Sequence, residues 1–332
     1  MGGSITDVPG IEVGHSQDVE GGTGCTVVLC REGAVPGVDV HGGAPGTRET
    51  DAIKPENVIP VAHAVFLSGG SAFGLDCAAG IMRYLEENGI GFNVGPTVVP
   101  IVPGAVINDL AFTDAKARPD AAMGYDACRN ASRTERRQGN VGAGTGAGIG
   151  RLAGNFKASM KGGLGTAGMR VGDLVVGAIV AVNCIGDVCD PATGELLAGT
   201  LTTDKKRIAG AMSLLLGREE GYREVFACNT TIGVVATNAA LNKATATRVA
   251  MMAHDGLART INPVHTLGDG DVVFCLGTGT LQTGIDRVGA LAAASMAEAI
   301  VNAVRSAETL RGVPCSREIR TGRAGTVEHR TG

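Results

Sequence analysis

A short polar stretch, Asn229-Thr230-Thr231, carries the side chains with the clearest chemical potential. It runs directly into an apolar, β-branched segment, which is typical of a buried strand whose first residue is exposed. If the Asn229–Thr230 peptide bond is cut, Thr230 carries a hydroxyl nucleophile and a free α-amine on neighbouring carbons. An unperturbed α-amine has a pKa of about 7.7–8.0, so near neutral pH it can act as the base for its own hydroxyl. The stretch is therefore a candidate N-terminal-threonine nucleophile.

Two ordinary interpretations compete with this one. The stretch can simply begin a core strand, and from the strand pattern alone that is the commoner outcome. It also matches the N-x-[ST] glycosylation sequon, as does Asn130-Ala131-Ser132. Glycosylation requires a secreted protein, and the composition of the chain argues against one.

Four more polar residues stand where predicted strands begin or end. Lys161 is followed by two glycines, which leave little side-chain bulk around its amine, and Asn183 closes a long apolar run. Asp269 and Asp271 flank the start of a predicted strand, where two carboxylates can orient an amine. Each also has a plainer interpretation: a solvated lysine, a strand-ending asparagine and a hairpin turn.

The composition bounds the class of protein. With 332 residues, 44% of them hydrophobic, the chain can bury a sizeable core as one large domain or two small ones. Only 3% aromatic residues and 52 glycines indicate closely packed aliphatic side chains. A net charge of −4 gives no electrostatic case for nucleic acid or an anionic membrane. Nine scattered cysteines, no C-x-x-C pair and no signal-peptide pattern favour a soluble protein of the reducing cytoplasm.

Local patterns predict the elements that would position these residues. Strands or extended segments are expected at 24–30, 61–67, 98–107 and 174–183. Helices are expected at about 75–88, 208–216, 245–261 and 288–310, with a partly helical polar segment at 111–137. The segment 35–51 is expected to be a loop, either at the surface or in the wall of a substrate pocket. His254, on the third helix, is more typical of a structural histidine than of a base.

A glycine tract at 139–154 loosely fits a dinucleotide-binding pattern through Gly142, Gly144 and Ala147. No strong strand precedes it, and no acidic residue follows on a second strand. The tract therefore predicts no dinucleotide cofactor.

Several segments in combination resemble the DmpA-type aminopeptidases, a family that includes the β-aminopeptidases and the nylon-oligomer endo-hydrolase. In chain order these segments are Val8–His15, His41–Thr50, Pro103–Asp109, Lys161–Thr166, Asn229–Leu241 and His265–Asp271. The resemblance extends from about Ile5 to Leu310, nearly the whole chain.

The resemblance implies an α/β (α+β) fold, a four-layer αββα sandwich similar to the N-terminal-nucleophile (Ntn) hydrolases but with different connectivity. It implies one catalytic domain, 1–315, which the chain itself cuts into an α fragment, 1–229, and a β fragment, 230–332; the polar tail 316–332 is expected to be disordered. Family members form homo-oligomers, need no metal or organic cofactor, and act on peptides or amides. We therefore expect a small peptide or amide as the substrate.

The site residues follow from the same resemblance. Thr230 matches the nucleophile, and the cut falls between Asn229 and Thr230. Lys161 matches the family's amide-activating lysine and Asn183 its oxyanion-stabilising asparagine. Asp269 and Asp271 match the acidic pair of the nylon hydrolase.

One position departs from the family pattern. Some members have a tyrosine that contacts the catalytic group, whereas this chain has Asn108 there and no tyrosine between Tyr84 and Tyr125. Asn108 is therefore a candidate substrate-binding residue, and the stereochemistry and type of substrate are not fixed by the sequence. Two other functions stay open: an acyltransferase of the ornithine-acetyltransferase kind, and a non-catalytic, uncleaved ligand-binding protein.

Overall fold

The computed structural model describes residues 2–112, 114–152, 158–218 and 229–319. The strands are β1 Glu12–Asp18, β2 Thr23–Val40, β3 Thr47–Arg48, β4 Ala62–Ser68, β5 Phe92–Asn93, β6 Val98–Val99, β7 Gly104–Val106, β8 Gly148–Ile149, β9 Met160–Lys161, β10 Gly163–Val171, β11 Leu174–Asn183, β12 Asp187–Cys189, β13 Leu196–Ala198, β14 Thr230–Ala239, β15 Ile261–Asn262 and β16 Val272–Leu281. The α-helices are α1 Cys77–Glu87, α2 Ala121–Arg129, α3 Ala211–Leu215, α4 Lys243–Thr260 and α5 Ile285–Ser306.

The long strand β2 belongs to two sheets. Its first half pairs antiparallel with β1 and β4, and its second half pairs antiparallel with β16. Through β2 the strand order is β10-β11-β14-β16-β2-β4-β7-β3, with β1 also beside β2. We call β10, β11, β14 and β16 the first sheet and β1, β4, β7 and β3 the second sheet. Within the first sheet, β14 and β16 are parallel neighbours and β11 runs antiparallel to β14.

The alternation of side chains along the strands builds the layers of the fold. On β11, Val180 packs on one face with residues of α4 and α5, whereas Ile179 packs on the other face with residues of the second sheet. On the far side of the second sheet, Val27 and Phe66 pack with residues of α1 and α2. Three apolar layers thus lie between four layers of secondary structure, in the order helices, sheet, sheet, helices. This order confirms the predicted four-layer αββα sandwich.

Most predicted elements are present with shifted ends. β11 has the predicted bounds, and α4 begins at Lys243 because Asn242 caps it through the backbone N–H of Thr245. The expectation of a loop over 35–51 is wrong for its first part, since residues 35–40 continue β2 and pair with β16.

The predicted tail is packed where the structure describes it. Ser316 Oγ donates to the carbonyl oxygen of Val304, and Ile319 packs against the core between the first sheet and helices α4 and α5. The expectation of disorder is therefore wrong for residues 316–319, and residues 320–332 lie outside the described residues. Of the described helices, α5 is long and apolar enough to cross a membrane, but its apolar face, with Met296 and Ile300, lies in that same core.

Candidate active site

Three strand ends meet at one edge of the first sheet. Because β14 and β16 are parallel, both strands begin at the same edge of the sheet, and the last residue of antiparallel β11 arrives there too. Asn183 is directly opposite Thr230 in the β11–β14 register. Asp271 immediately precedes β16, and Asp269 forms a parallel bridge with Asn229. The structure thus brings together five of the predicted residues.

The Asn229–Thr230 peptide bond is enclosed and polarised. The Thr230 hydroxyl donates to the carbonyl oxygen of Asn229 at 2.5 Å, and the backbone N–H of Gly270 donates to the same oxygen at 2.7 Å. Thr230 is only 4% exposed, so the expectation of an exposed first strand residue is wrong. The reason is the loop 268–271, which pairs with Asn229 and covers the start of β14. Two donors on one carbonyl oxygen withdraw electron density and favour attack on its carbon.

Gly270 can approach this carbonyl because it lacks a side chain. A Cβ atom there would lie 2.6 Å from the carbonyl oxygen of Ala44 and 2.8 Å from Thr230 Oγ1. The segment around Ala44 is held against the same loop, since its backbone N–H donates to the carbonyl oxygen of Asp269 at 2.8 Å. Sequence reasoning missed Gly270, although a single glycine between two candidate acids was a usable signal.

Asn183 presents an unused donor beside Thr230. Its Oδ1 accepts a hydrogen bond from the backbone N–H of Gly148 at 3.0 Å, which fixes the orientation of the amide. Its Nδ2 is buried and has no hydrogen-bond partner among the described residues. A buried donor without a partner destabilises the folded chain. The same donor becomes stabilising when it can hydrogen-bond to an oxygen that develops negative charge nearby.

The two acids play different structural parts. Asp271 accepts the backbone N–H of Thr231 at 2.7 Å through Oδ1, and its Oδ2 lies 2.8 Å from His265 Nδ1. Asp269 Oδ2 accepts from the backbone N–H and the hydroxyl of Thr266 at 2.9 and 2.8 Å. Burial, together with the nearby charge of Asp271, raises the pKa of Asp269 to about 6. Asp271 therefore anchors the start of β14, whereas Asp269 is a carboxyl poised to change protonation near neutral pH. Sequence reasoning missed His265 and Thr266.

Lys161 is fully buried, so the plain interpretation as a solvated lysine is wrong. The two glycines that follow Lys161 do not leave its amine free. Main-chain carbonyl oxygens occupy the space around Nζ. Nζ donates three hydrogen bonds of 2.9 Å to the carbonyl oxygens of Gly144, Ala147 and Gly162. None of the hydrogen bonds in the described part of the chain joins Lys161 to Thr230.

The charge state of Lys161 is set by opposing effects. Burial lowers its pKa to about 7, and the carboxylate of Asp109 acts in the other direction. Its three hydrogen bonds use every N–H of an ammonium group, so deprotonation would leave one carbonyl oxygen without a donor. Lys161 also pairs with Gly148 across β8 and β9, and Gly148 orients Asn183. Its link to the site therefore runs through this glycine-rich segment.

Asn108 lies outside the hydrogen-bonded group around Thr230. Its Oδ1 accepts from the backbone N–H of Leu110 at 3.3 Å, and its carbonyl oxygen accepts from Arg151 at 3.0 Å. The described hydrogen bonds do not connect Asn108 with Thr230, so its substrate-binding role stays a prediction.

Comparison with known proteins gives the family. The model of peptidase family S58 matches residues 3–317. This chain belongs to peptidase family S58. It is 43% identical to an uncharacterized aminopeptidase of Mycobacterium leprae, over 98% of this chain and 96% of that protein. It is 29% identical to a 6-aminohexanoate-oligomer endohydrolase of Kocuria sp., over 90% of this chain and 85% of that protein.

A solved structure shows the same fold. The L-aminopeptidase D-Ala-esterase/amidase of Ochrobactrum anthropi, a variant of the Ntn hydrolase fold, matches with a TM-score of 0.70 and 22% identity. The match covers 95% of this chain and 90% of that one. The resemblance to the DmpA-type aminopeptidases is confirmed, and this member of family S58 is a hydrolase of peptide or amide bonds. The alternative of a non-catalytic ligand-binding protein is wrong.

Proposed function

We propose that this S58 peptidase cuts itself between Asn229 and Thr230, and that Thr230 then hydrolyses small peptides or amino-acid amides. One observation carries the proposal: the carbonyl oxygen of Asn229 accepts hydrogen bonds from both the Thr230 hydroxyl and the Gly270 backbone. The carbonyl that would be attacked is thus polarised by a main-chain donor, with the nucleophile already in contact.

The first step is an acyl shift within the uncut chain. Thr230 Oγ1 attacks the carbonyl carbon of Asn229, and the hydroxyl proton passes to an acceptor while a tetrahedral oxyanion forms. The C–N bond then breaks, the nitrogen of Thr230 gains a proton, and Asn229 is left as an ester on the Thr230 hydroxyl. Water hydrolyses that ester, which releases the Asn229 carboxylate and frees both the hydroxyl and the α-amine of Thr230.

We assign Asp269 as the acceptor for the first proton. Its Oδ1 is buried and has no hydrogen-bond partner among the described residues, and its backbone forms a β-bridge with Asn229, whose carbonyl is attacked. Since burial raises the pKa of Asp269 to about 6, the carboxylate is a stronger base than an ordinary aspartate while still ionised at pH 7.

In the cut enzyme, the α-amine of Thr230 takes over as the base. The hydroxyl attacks the substrate amide, the α-amine accepts its proton and passes it to the leaving amine, and water resolves the acyl-enzyme. Asn183 Nδ2 and the Gly270 N–H supply two donors for the oxyanion. A neutral amide suits this role, because it stabilises negative charge without altering the net charge of the site.

We assign the remaining residues supporting roles. Asp271 fixes Thr231, and therefore the backbone that carries the nucleophile, while Lys161 holds the segment whose Gly148 orients Asn183. Consistent with action in a reducing cytoplasm, the eight cysteines among the described residues are free thiols and seven are buried. We also propose a homo-oligomer of cut chains that uses neither metal nor organic cofactor for this chemistry.

The test is turnover of amino-acid amides by the wild type, Thr230→Ala and Thr230→Ser. We expect no hydrolysis by Thr230→Ala and measurable hydrolysis by Thr230→Ser, because serine keeps the hydroxyl and the α-amine. Undiminished hydrolysis by Thr230→Ala would refute the proposal. Transfer of the acyl group to an added amino acid in preference to water would instead identify the acyltransferase alternative.

A further inference from the structure

A second cluster of polar side chains lies next to the active-site loop. It consists of Asp39 near the end of β2, His41 in the following loop and His254 on α4. One ligand atom from each of the three lies within 4.8 Å of the others. The rings of His41 and His254 also pack against that of His265, with centroids 4.6 to 4.9 Å apart.

We propose that Asp39, His41 and His254 form a binding site for a divalent transition-metal ion of the Zn²⁺ class. Asp39 Oδ2 lies 2.9 Å from His41 Nδ1 and 3.5 Å from His254 Nε2. Ligands bound to zinc at 2.0–2.2 Å with tetrahedral angles are about 3.3–3.6 Å apart. The 3.5 Å separation matches this range, the 2.9 Å separation would widen on binding, and the two histidine nitrogens lie within 4.8 Å of each other.

The donor set selects the class of ion. Two imidazole nitrogens and one carboxylate oxygen suit Zn²⁺ and similar ions, whereas Mg²⁺ and Ca²⁺ prefer oxygen ligands alone. Three protein ligands leave one coordination position for water or another small ligand. The site also has an entry path, because the His41 side chain is 52% exposed while His254 is buried.

The cluster has hydrogen-bonding capacity that the described residues do not use. His254 Nδ1 and His265 Nε2 are both buried and lack a partner among the described residues. Asp39 already hydrogen-bonds to both ligand nitrogens, through Oδ2 to His41 Nδ1 at 2.9 Å and through its carbonyl oxygen to His254 Nε2 at 3.2 Å, so a metal ion would replace these hydrogen bonds. A metal ion with its remaining water ligand would add both a positive charge and a hydrogen-bonding group to this cluster.

An occupied site would connect the metal to the active-site loop. Asp39 pairs with Val273 across β2 and β16, and the backbone N–H of His41 donates to the carbonyl oxygen of Asp271 at 3.0 Å. A metal would therefore tie the end of β2 and helix α4 to the strand that follows Asp271. This structural role is independent of self-cleavage, and the ion takes no part in the chemistry proposed for Thr230.

The experiment is calorimetric titration of Zn²⁺ into the untagged full chain after chelator treatment, with wild type, His41→Ala and Asp39→Asn compared. His41 is half exposed and Asp39→Asn is isosteric, so both variants should fold. The matched control is His63→Gln: His63 lies outside the cluster and accepts the backbone N–H of Ile101 at 3.2 Å, an interaction that glutamine can keep.

We expect one tight equivalent of Zn²⁺ per wild-type chain and per His63→Gln chain. The affinity should fall at least about tenfold in His41→Ala and in Asp39→Asn. Zn²⁺ should also raise the Tm of the wild type, but not that of the two cluster variants. Absence of a tight equivalent in the wild type, or equal affinity in all four proteins, would overturn the proposal; equal affinity would point to the cysteines instead.

Discussion

Replacing Asn183 by aspartate tests the roles of its two hydrogen-bonding atoms, Oδ1 and Nδ2, separately. In Asn183→Asp, one carboxylate oxygen can still accept the backbone N–H of Gly148, as Oδ1 does at 3.0 Å in the wild type. The other oxygen replaces Nδ2, which is buried, without a described partner, and adjacent to Thr230 in the strand register. The variant therefore keeps the shape of the site and replaces the donor by a carboxylate oxygen.

The size of the effect follows from that single donor. Removal of one oxyanion donor typically costs about 10²–10³ in rate, or roughly 2.7–4 kcal/mol of transition-state stabilisation. Asn183 is fully buried, so an aspartate here would also place negative charge near the developing oxyanion. We therefore expect self-cleavage and amide turnover to slow by at least about 10²-fold.

The assay is the time course of self-cleavage in freshly produced chain, followed by turnover of amino-acid amides. A matched control is Asn238→Asp at the other end of β14. Asn238 Oδ1 also accepts a backbone N–H, that of Val175 at 2.9 Å, but its Nδ2 donates to the carbonyl of Asp173. Cleavage by Asn183→Asp within tenfold of the wild type, with Asn238→Asp unchanged, would refute the role of Asn183 as a donor.

Two further predictions concern the loop that covers Thr230. Because the pKa of Asp269 is raised from 3.8 to about 6, its buried charge destabilises the fold increasingly as pH rises between these values. The difference in unfolding free energy, Asp269→Asn minus wild type, should therefore increase by up to about 3 kcal/mol from pH 4 to 7. Self-cleavage should slow in the same variant. A constant difference in denaturant titrations would contradict the buried-carboxylate argument. Gly270→Ala should lose about 1–3 kcal/mol of stability and most self-cleavage, because its Cβ would press on Ala44 and Thr230. Gly284→Ala, with open space around it, should keep wild-type self-cleavage and lose only the stability that follows from an alanine at the N-cap of α5.

Local patterns were sufficient to predict the α-helices and the long apolar strands β4, β11 and β14, but not β1 or β10. The apolar run 174–183 matches β11 because a strand buried on both faces reads as continuous hydrophobic sequence. The polar residues at its end and at the start of β14 marked the edge where the site lies. What the sequence pattern did not contain was the long-range pairing of 35–40 with β16, which turned an expected loop into the end of β2.

The environment of the site residues was less predictable than their identity. Lys161 looked like an amine with free space, yet its partners are three main-chain carbonyls, and backbone acceptors have no sequence signature. The donor contributed by Gly270 is invisible for the same reason. Thr230 was expected to be exposed, because nothing local to β14 shows that residues 268–271 cover it.

The central claim is that Thr230 frees itself by attacking the Asn229 carbonyl. The most direct test is the intact mass of the purified wild type, with Thr230→Ala prepared in parallel. We predict that the wild type separates into the fragments 1–229 and 230–332 and that Thr230→Ala retains its full mass after prolonged incubation. A wild-type chain that stays whole under the same conditions, or a Thr230→Ala chain cut at the same bond, would contradict the account.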